Sequence, residues 1–324
     1  MPTAFSEIFL TKRIAIIGAT GHIGSWLVPR LVDAGHEVTA VTRGNREPYH
    51  VSDAWSDVAT VRIDRTSAER DGSFGSAIAA LDADIVVDLV CFNPDSARHL
   101  VDALRDRIEL FIHCGTLWVH GNPPHRPYDE TVPRKPFGQY GILKAEIERL
   151  LLDESARGFP ASVLHPGHIT GPGWPPINPA GNLDLAVFDR LATGESVALP
   201  GDGSATLQHV HADDVAQAFA LTIERPHQAI GEAFHVAARF PITMGDYARG
   251  AADWSGREAN SVYMEWEEWR QTVSSRDAEL TRDHMMHSPH ASIAKAERLL
   301  GFVPRYSALD AAREAYESVR VGGG

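Results

Sequence analysis

Cysteine is scarce in this chain, and its scarcity sets the first limit. Two cysteines in 324 residues, Cys91 and Cys114, cannot build a disulfide framework. Both lie in apolar, strand-like runs and read as buried, reduced thiols of a cytoplasmic protein. Long hydrophobic runs are also missing. None approaches the ~20 residues that a membrane-spanning helix needs, so we expect no membrane partner. Positive charge is in deficit: 30 Lys and Arg stand against 43 Asp and Glu, a formal net charge of −13. Such a balance disfavours nucleic acid, and none is expected as a partner. The opening MPTAFSEIFLTKR has no basic segment followed by an apolar one and does not read as a secretory signal. The closing VGGG reads as a short tail. Internal repeats and low-complexity segments are absent.

What remains is a soluble globular composition, 44% hydrophobic and 23% charged. Strand-like runs at 13–19, 37–43, 58–64, 84–90, 109–116 and 161–167 alternate with helical spacing at 23–35, 73–82, 96–107 and 139–157. Pro29 is a flaw in the first helical pattern. This alternation predicts βαβ units and a parallel sheet covered on both faces. After His168 the chain turns rich in proline and glycine and the alternation stops. A strand and helix follow in LQHVHADDVAQAFALTIER, and a further strand at 232–238. We expect a dinucleotide-binding domain over 1–170, rejoined by about 207–238. A smaller substrate domain would comprise 171–206 and 239–324.

Two motifs carry chemistry. GATGHIG sets Gly18, Gly21 and Gly24 between the first strand and first helix, where a pyrophosphate can rest on a helix N-terminus. Gly18 would allow the turn, Gly21 the phosphate's approach, and Gly24 close helix–sheet packing. At the end of the second strand an NAD-binding protein usually presents a carboxylate to the adenine ribose. Here stands Thr42-Arg43-Gly44. A guanidinium can pair with a 2′-phosphate, so the expected cofactor is NAD(P), with NADP favoured over NAD. Asp64 could accept from the adenine amino group. Further on, QYGILK places Tyr140 and Lys144 four residues apart on a helix, hence as neighbours. A nearby cation lowers a phenol's pKa from ~10, which would make Tyr140 an acid/base catalyst supported by Lys144.

Together the glycine loop and the Tyr-Gly-Ile-Leu-Lys run resemble the short-chain dehydrogenase/reductase superfamily. The length and HPGHITGPG resemble its extended branch of NAD-dependent epimerases and dehydratases. HVHADDVAQAF, GEAFHV and AKAERLLGFVPRYS add to the likeness, which spans nearly the whole chain. The resemblance implies an α/β fold, a Rossmann-type doubly wound parallel sheet with a smaller interleaved C-terminal substrate domain. It implies Thr116, five residues before Gly121, as the third member of a catalytic triad with Tyr140 and Lys144. It implies cofactor contacts from Thr20, His22, Ile23, Leu89, Val90 and Pro166 besides the glycines, and a homodimer paired through the helix that starts at Tyr140.

The chain also departs from that pattern. Val119-His120-Gly121 replaces the usual Val-Tyr-Gly; His120 either lines the substrate pocket with Trp118 or is a satisfied loop histidine. The arginine that meets a diphosphate in nucleotide-sugar enzymes is missing at Leu207-Gln208, with Arg282 a weaker substitute. His165-Pro166 replaces Arg-Pro or Arg-Tyr. His168 and Asn182 remain substrate-side candidates. His209 with His211, and His284 with His287 and His290, invite a metal, but Pro289 interrupts the second group and none is expected. Leu117-Trp118 in place of an acid pair disfavours dehydration. The expected activity is hydride transfer at a carbinol or carbonyl carbon of a small molecule such as a sugar or nucleotide sugar. The alternatives are an NADPH-dependent reductase of a small ketone or aldehyde, and a non-catalytic cofactor-sensing or RNA-binding protein.

Overall fold

The computed structural model describes residues 11–322. Residues 1–10 of the opening segment and the last two glycines lie outside the described residues; Val321 and Gly322, read as tail, belong to the final helix.

The first half is a run of βα units. In order they are β1 (Arg13–Ile17), α1 (Gly24–Asp33), β2 (Glu37–Thr42), β3 (Ala59–Arg62), α2 (Arg65–Arg70), α3 (Phe74–Ala79), β4 (Ile85–Asp88), α4 (Pro94–Leu104), β5 (Leu110–Cys114), α5 (Gln139–Ser155) and β6 (Ala161–Pro166). The expected elements are present, most of them trimmed by a few residues at their ends. Pro29 is accommodated: α1 runs through it with the proline buried. The short α2 was not foreseen; Asp64 caps it, accepting the Ser67 N–H at 2.9 Å.

The second half contains β7 (His168–Thr170), α6 (Ala186–Thr193), β8 (Ser196–Pro200), β9 (Thr206–Leu207), β10 (His209–His211), α7 (Ala212–Glu224), α8 (Pro226–Ala229), β11 (Ala233–Val236), β12 (Ile242–Thr243), α9 (Met244–Asp253), β13 (Asn260–Met264), α10 (Trp266–Trp269), α11 (Ser275–His287), α12 (Ala294–Leu300) and α13 (Ala308–Gly322).

Seven parallel strands form the main sheet in the order β3-β2-β1-β4-β5-β6-β11. The chain reverses direction across the sheet between β1 and β4, the place where such sheets form a ligand crevice at the carboxyl ends of their strands. One apolar face packs Leu27, Val28 and Leu31 of α1 with Val215 and Phe219 of α7. The other packs Phe74, Leu100, Ile147 and Leu151 from α3, α4 and α5. A third core joins Phe188, Leu199, Tyr247, Trp269 and Tyr316, drawn wholly from beyond residue 170. There β8 and β13 pair in parallel across more than sixty residues of sequence. Trp269 is fully buried and its indole donates to the Ala198 carbonyl at 3.0 Å. Among the described residues, no helix is long and apolar enough to cross a membrane.

Candidate active site

The glycine loop leaves β1 at the crevice. Gly18 sits at φ +87°, and a β-carbon on it would press on Val90, 2.8 Å from Cγ1. Leu89 and Val90 therefore lie directly under the turn. A β-carbon on Gly24 would overlap the Ala19 backbone, so the helix can seat only with glycine there. No side chain caps α1, and its first turn carries no acid. An uncapped helix N-terminus behind a glycine turn is a cradle for an anion, and these residues fit a dinucleotide pyrophosphate. Ile23 turns into the core, and His22 is buried, stacked on Trp174 at 4.9 Å and edge-on to Tyr49. The side chains of both thus face the protein. Desolvation pushes His22 down to about 4, leaving it neutral. Thr20 and Thr42 share a hydroxyl contact at 3.1 Å, and Thr42 accepts the Gly44 N–H. Arg43 is exposed at the end of β2. Arg62, which sequence reading passed over, lies against Gly44, its Nε 3.0 Å from where a β-carbon would sit. Asp64 is exposed beyond β3, with one carboxylate oxygen used as the cap.

Across the crevice, β4 and β5 end at Lys144. Its ammonium donates to the Cys91 carbonyl at 2.8 Å and the Cys114 carbonyl at 2.6 Å, and it lies 4.6 Å from the centre of the Phe92 ring. One of its three N–H bonds is left over. Burial lowers the Lys144 pKa, with the neighbouring Cys114, Cys91 and Asp88 opposing. Thr116, just past β5, lies beside the Tyr140 hydroxyl and favours its ionised form. Its own hydroxyl accepts from the Trp118 N–H at 3.3 Å. Tyr140 opens α5 and remains 43% exposed, yet desolvation pushes its pKa up to about 12, with Cys114 adding and Thr116 subtracting. The expected lowering by Lys144 is therefore not found here: desolvation governs the phenol. Pro166 ends β6.

The wall facing Tyr140 is aromatic and imidazole. Trp118 stands edge-on to Tyr140 at 6.0 Å and stacks flat on His287 at 4.0 Å, which stacks in turn on Phe137. His284 meets Trp118 and His168, and His168 meets His209, all edge-on at 5.4–5.5 Å. Burial drives these rings toward the neutral form: His168 well below its usual value, His209 to about 3, His287 to about 4. The Nε2 atoms of His168, His209, His284 and His287 have no hydrogen-bond partner.

Other candidates fall elsewhere. His120 is fully buried with its Nε2 2.8 Å from His235 Nε2 and its Nδ1 without a partner, so of its two readings the geometry matches the interior histidine, satisfied at one nitrogen. The Asn182 amide is engaged by Thr281 at 3.2 Å and Asn178 at 2.6 Å, and it serves the loop that shapes the C-terminal side. Arg282 is exposed and lines a cleft of about 940 Å³ with Trp266, Arg270 and Met286; none of the triad reaches that cleft. Phe92, its ring centre 6.4 Å from that of Tyr140, was missed because it comes from a segment remote in sequence.

A doubly wound sheet with a phosphate-ready glycine turn facing a Thr-Tyr-Lys cluster defines an enzyme that uses a nicotinamide dinucleotide. The chain belongs to the NAD-dependent epimerase/dehydratase family, whose model matches residues 14–237. It is similar to the chloroplast stem-loop binding protein of 41 kDa b of Arabidopsis thaliana, at 26% identity over 94% of this chain and 78% of that one. A 2′-dehydrokanamycin reductase of Streptomyces kanamyceticus is 26% identical over 79% of this chain and 71% of its own length. In fold it resembles the UDP-glucose 4-epimerase of Thermotoga maritima, with TM-score 0.70, 21% identity, and 96% and 100% of the two chains covered.

Proposed function

We propose that the chain is an NADP-dependent oxidoreductase interconverting an alcohol and a carbonyl carbon on a small, uncharged, hydroxylated substrate. One observation carries the reading: the half-exposed Tyr140 phenol lies beside Thr116, on the same helix as buried Lys144. In the reducing direction Tyr140 gives its proton to the substrate oxygen while Thr116 holds that oxygen. A phenol pushed up to about 12 is protonated at neutral pH and suits proton delivery. The dinucleotide, when bound, supplies or accepts the hydride. Gly18, Gly21 and Gly24 would seat its pyrophosphate, and the free N–H of Lys144 its ribose. Arg43, with Arg62 alongside, would meet a 2′-phosphate where a carboxylate would repel one. The neutral imidazoles at His168, His284 and His287 offer hydrogen bonds without positive charge, and Trp118 offers a flat face. Such a wall suits a sugar-like ring better than a diphosphate.

The test is NADPH oxidation followed with dihydroxyacetone, cyclohexanone and a 3-keto-glucoside, beside NAD-dependent epimerisation of UDP-glucose. Turnover of a neutral ketone that Tyr140→Phe abolishes, with NADPH binding retained, supports the reading. Epimerisation with retained NAD sinks it in favour of the second reading, a sugar-nucleotide epimerase, which the family itself favours. Arg43→Glu should weaken NADPH binding at least tenfold relative to NADH; an unchanged preference removes the NADP assignment. The stem-loop-binding relative motivates an RNA-binding reading, against which the net charge speaks; a gel-shift with a stem-loop RNA decides it. A homodimer paired through α5 is checked by sedimentation.

A further inference from the structure

His165 stands where the extended branch has arginine, and its surroundings give it a task. It is fully buried at the end of β6. Its Nδ1 accepts the backbone N–H of Thr116 at 3.0 Å. An accepting Nδ1 carries no proton, so the ring proton sits on Nε2. Nε2 comes within 3.1 Å of Glu148 Oε1, a close contact outside hydrogen-bond geometry, and Glu148 is itself buried. Arg134 clamps that carboxylate, its Nε 3.0 and 3.2 Å from the two oxygens, and is held in turn by the Val132 carbonyl at 3.0 Å. Glu148 lies on α5 four residues beyond Lys144 and eight beyond Tyr140, so all three share one helix face. Gly115 completes the arrangement: a β-carbon there would overlap the His165 ring.

We infer that His165 and Glu148 are positioning residues, which tie the backbone of Thr116 to the same helix that carries Tyr140 and Lys144. The inference rests on Thr116 being the site's hydroxyl. Its physical content is that the donor set for a substrate oxygen is fixed from both sides: Tyr140 directly by α5, and Thr116 by α5 through Glu148 and His165. A hydroxyl placed by a backbone bond to a ring with one permitted tautomer keeps its distance to the phenol without a further contact.

The test uses the free, full-length protein and needs no substrate. In 15N-histidine-labelled protein, His165 should give the spectrum of the neutral Nε2–H tautomer, assigned by its loss in His165→Leu. The Thr116 amide should be protected from hydrogen exchange. His165→Leu should raise its exchange at least tenfold while the amide of Ile112 in β5 changes less than twofold. His165→Asn, whose amide oxygen can accept the same bond, should restore most of the protection. Glu148→Gln should keep the tautomer. Detection of the Nδ1–H form, or Thr116 exchange unchanged in His165→Leu, overturns the inference. So does equal loss of protection at Thr116 and Ile112 in both His165 variants. Tyr140→Phe, which tests the catalytic reading, should leave all these signals in place, so the two can fail separately.

Discussion

Two buried polar regions flank Tyr140, and they handle charge in opposite ways. On the side of the sheet, charges are kept and ligated: Lys144 by two carbonyls, Glu148 by Arg134, and Asp88 by both oxygens on Arg65 at 2.8 and 3.0 Å. On the C-terminal side, His168, His209, His284 and His287 are buried with unpartnered Nε2 atoms and give up their charge. A buried ion is tolerable only with partners, because stripping its water costs several kcal/mol. An imidazole has a neutral form within reach of ordinary pH and can be buried with fewer bonds. The first region therefore holds geometry; the second leaves polar atoms unspent for a ligand.

That contrast can be broken most heavily at Lys144. Lys144→Met should lower turnover by about 10²–10⁴-fold, the range of a lost acid/base contribution, as read by NADPH oxidation on any ketone the parent reduces. A near-normal rate would mean that the ammonium only ties strands together. Next in size is Glu148→Leu, which strands Arg134 without its partner. Breaking a buried pair costs about 3–5 kcal/mol, visible as a lower denaturant midpoint with unchanged slope. Burial pushes the Glu148 carboxyl up, but His165 and Arg134 outweigh it and hold the group below the usual carboxylate range. Its stabilisation is thus complete above its unfolded value of ~4.3 and fades as pH falls from there. The smallest effect sharpens the other half of the comparison. His209 titrates lower folded than unfolded, so its contribution is complete above ~6.5 and falls by about 1.36 kcal/mol per pH unit below it. His209→Phe should remove one such increment from the stability difference between pH 6.5 and pH 5. An unaltered acid slope would show that His209 is not buried neutral.

The sheet was legible because each βα unit announces itself locally, by a β-branched run, a glycine turn and a helical stripe. Tyr140 and Lys144 were legible as neighbours for the same reason, since they sit on one turn of helix, whereas Thr116 came only from the family resemblance. What could not be read depends on distant pairings. β13 joins β8, His165 reaches Thr116, and His287 reaches Trp118 with no local signature at either end. Asn182 was read from its neighbours in sequence, and its amide is satisfied by Thr281 from α11. The phenol's pKa was expected to fall beside a charge four residues away, but desolvation at the start of α5 pushes it up.

One face of α5 presents three side chains at intervals of four, answering to successive strand ends: Tyr140 to Thr116 beyond β5, Lys144 to the carbonyls of Cys91 beyond β4 and Cys114 at the end of β5, Glu148 to His165 near the end of β6. A helix advances ~100° per residue. Inserting or deleting a single residue between Tyr140 and Glu148 would swing one part of that face away from the other, and no side-chain repair could rejoin them. The length of this segment is thus itself a constraint, one that tolerates substitution on its outer face while forbidding a change of phase.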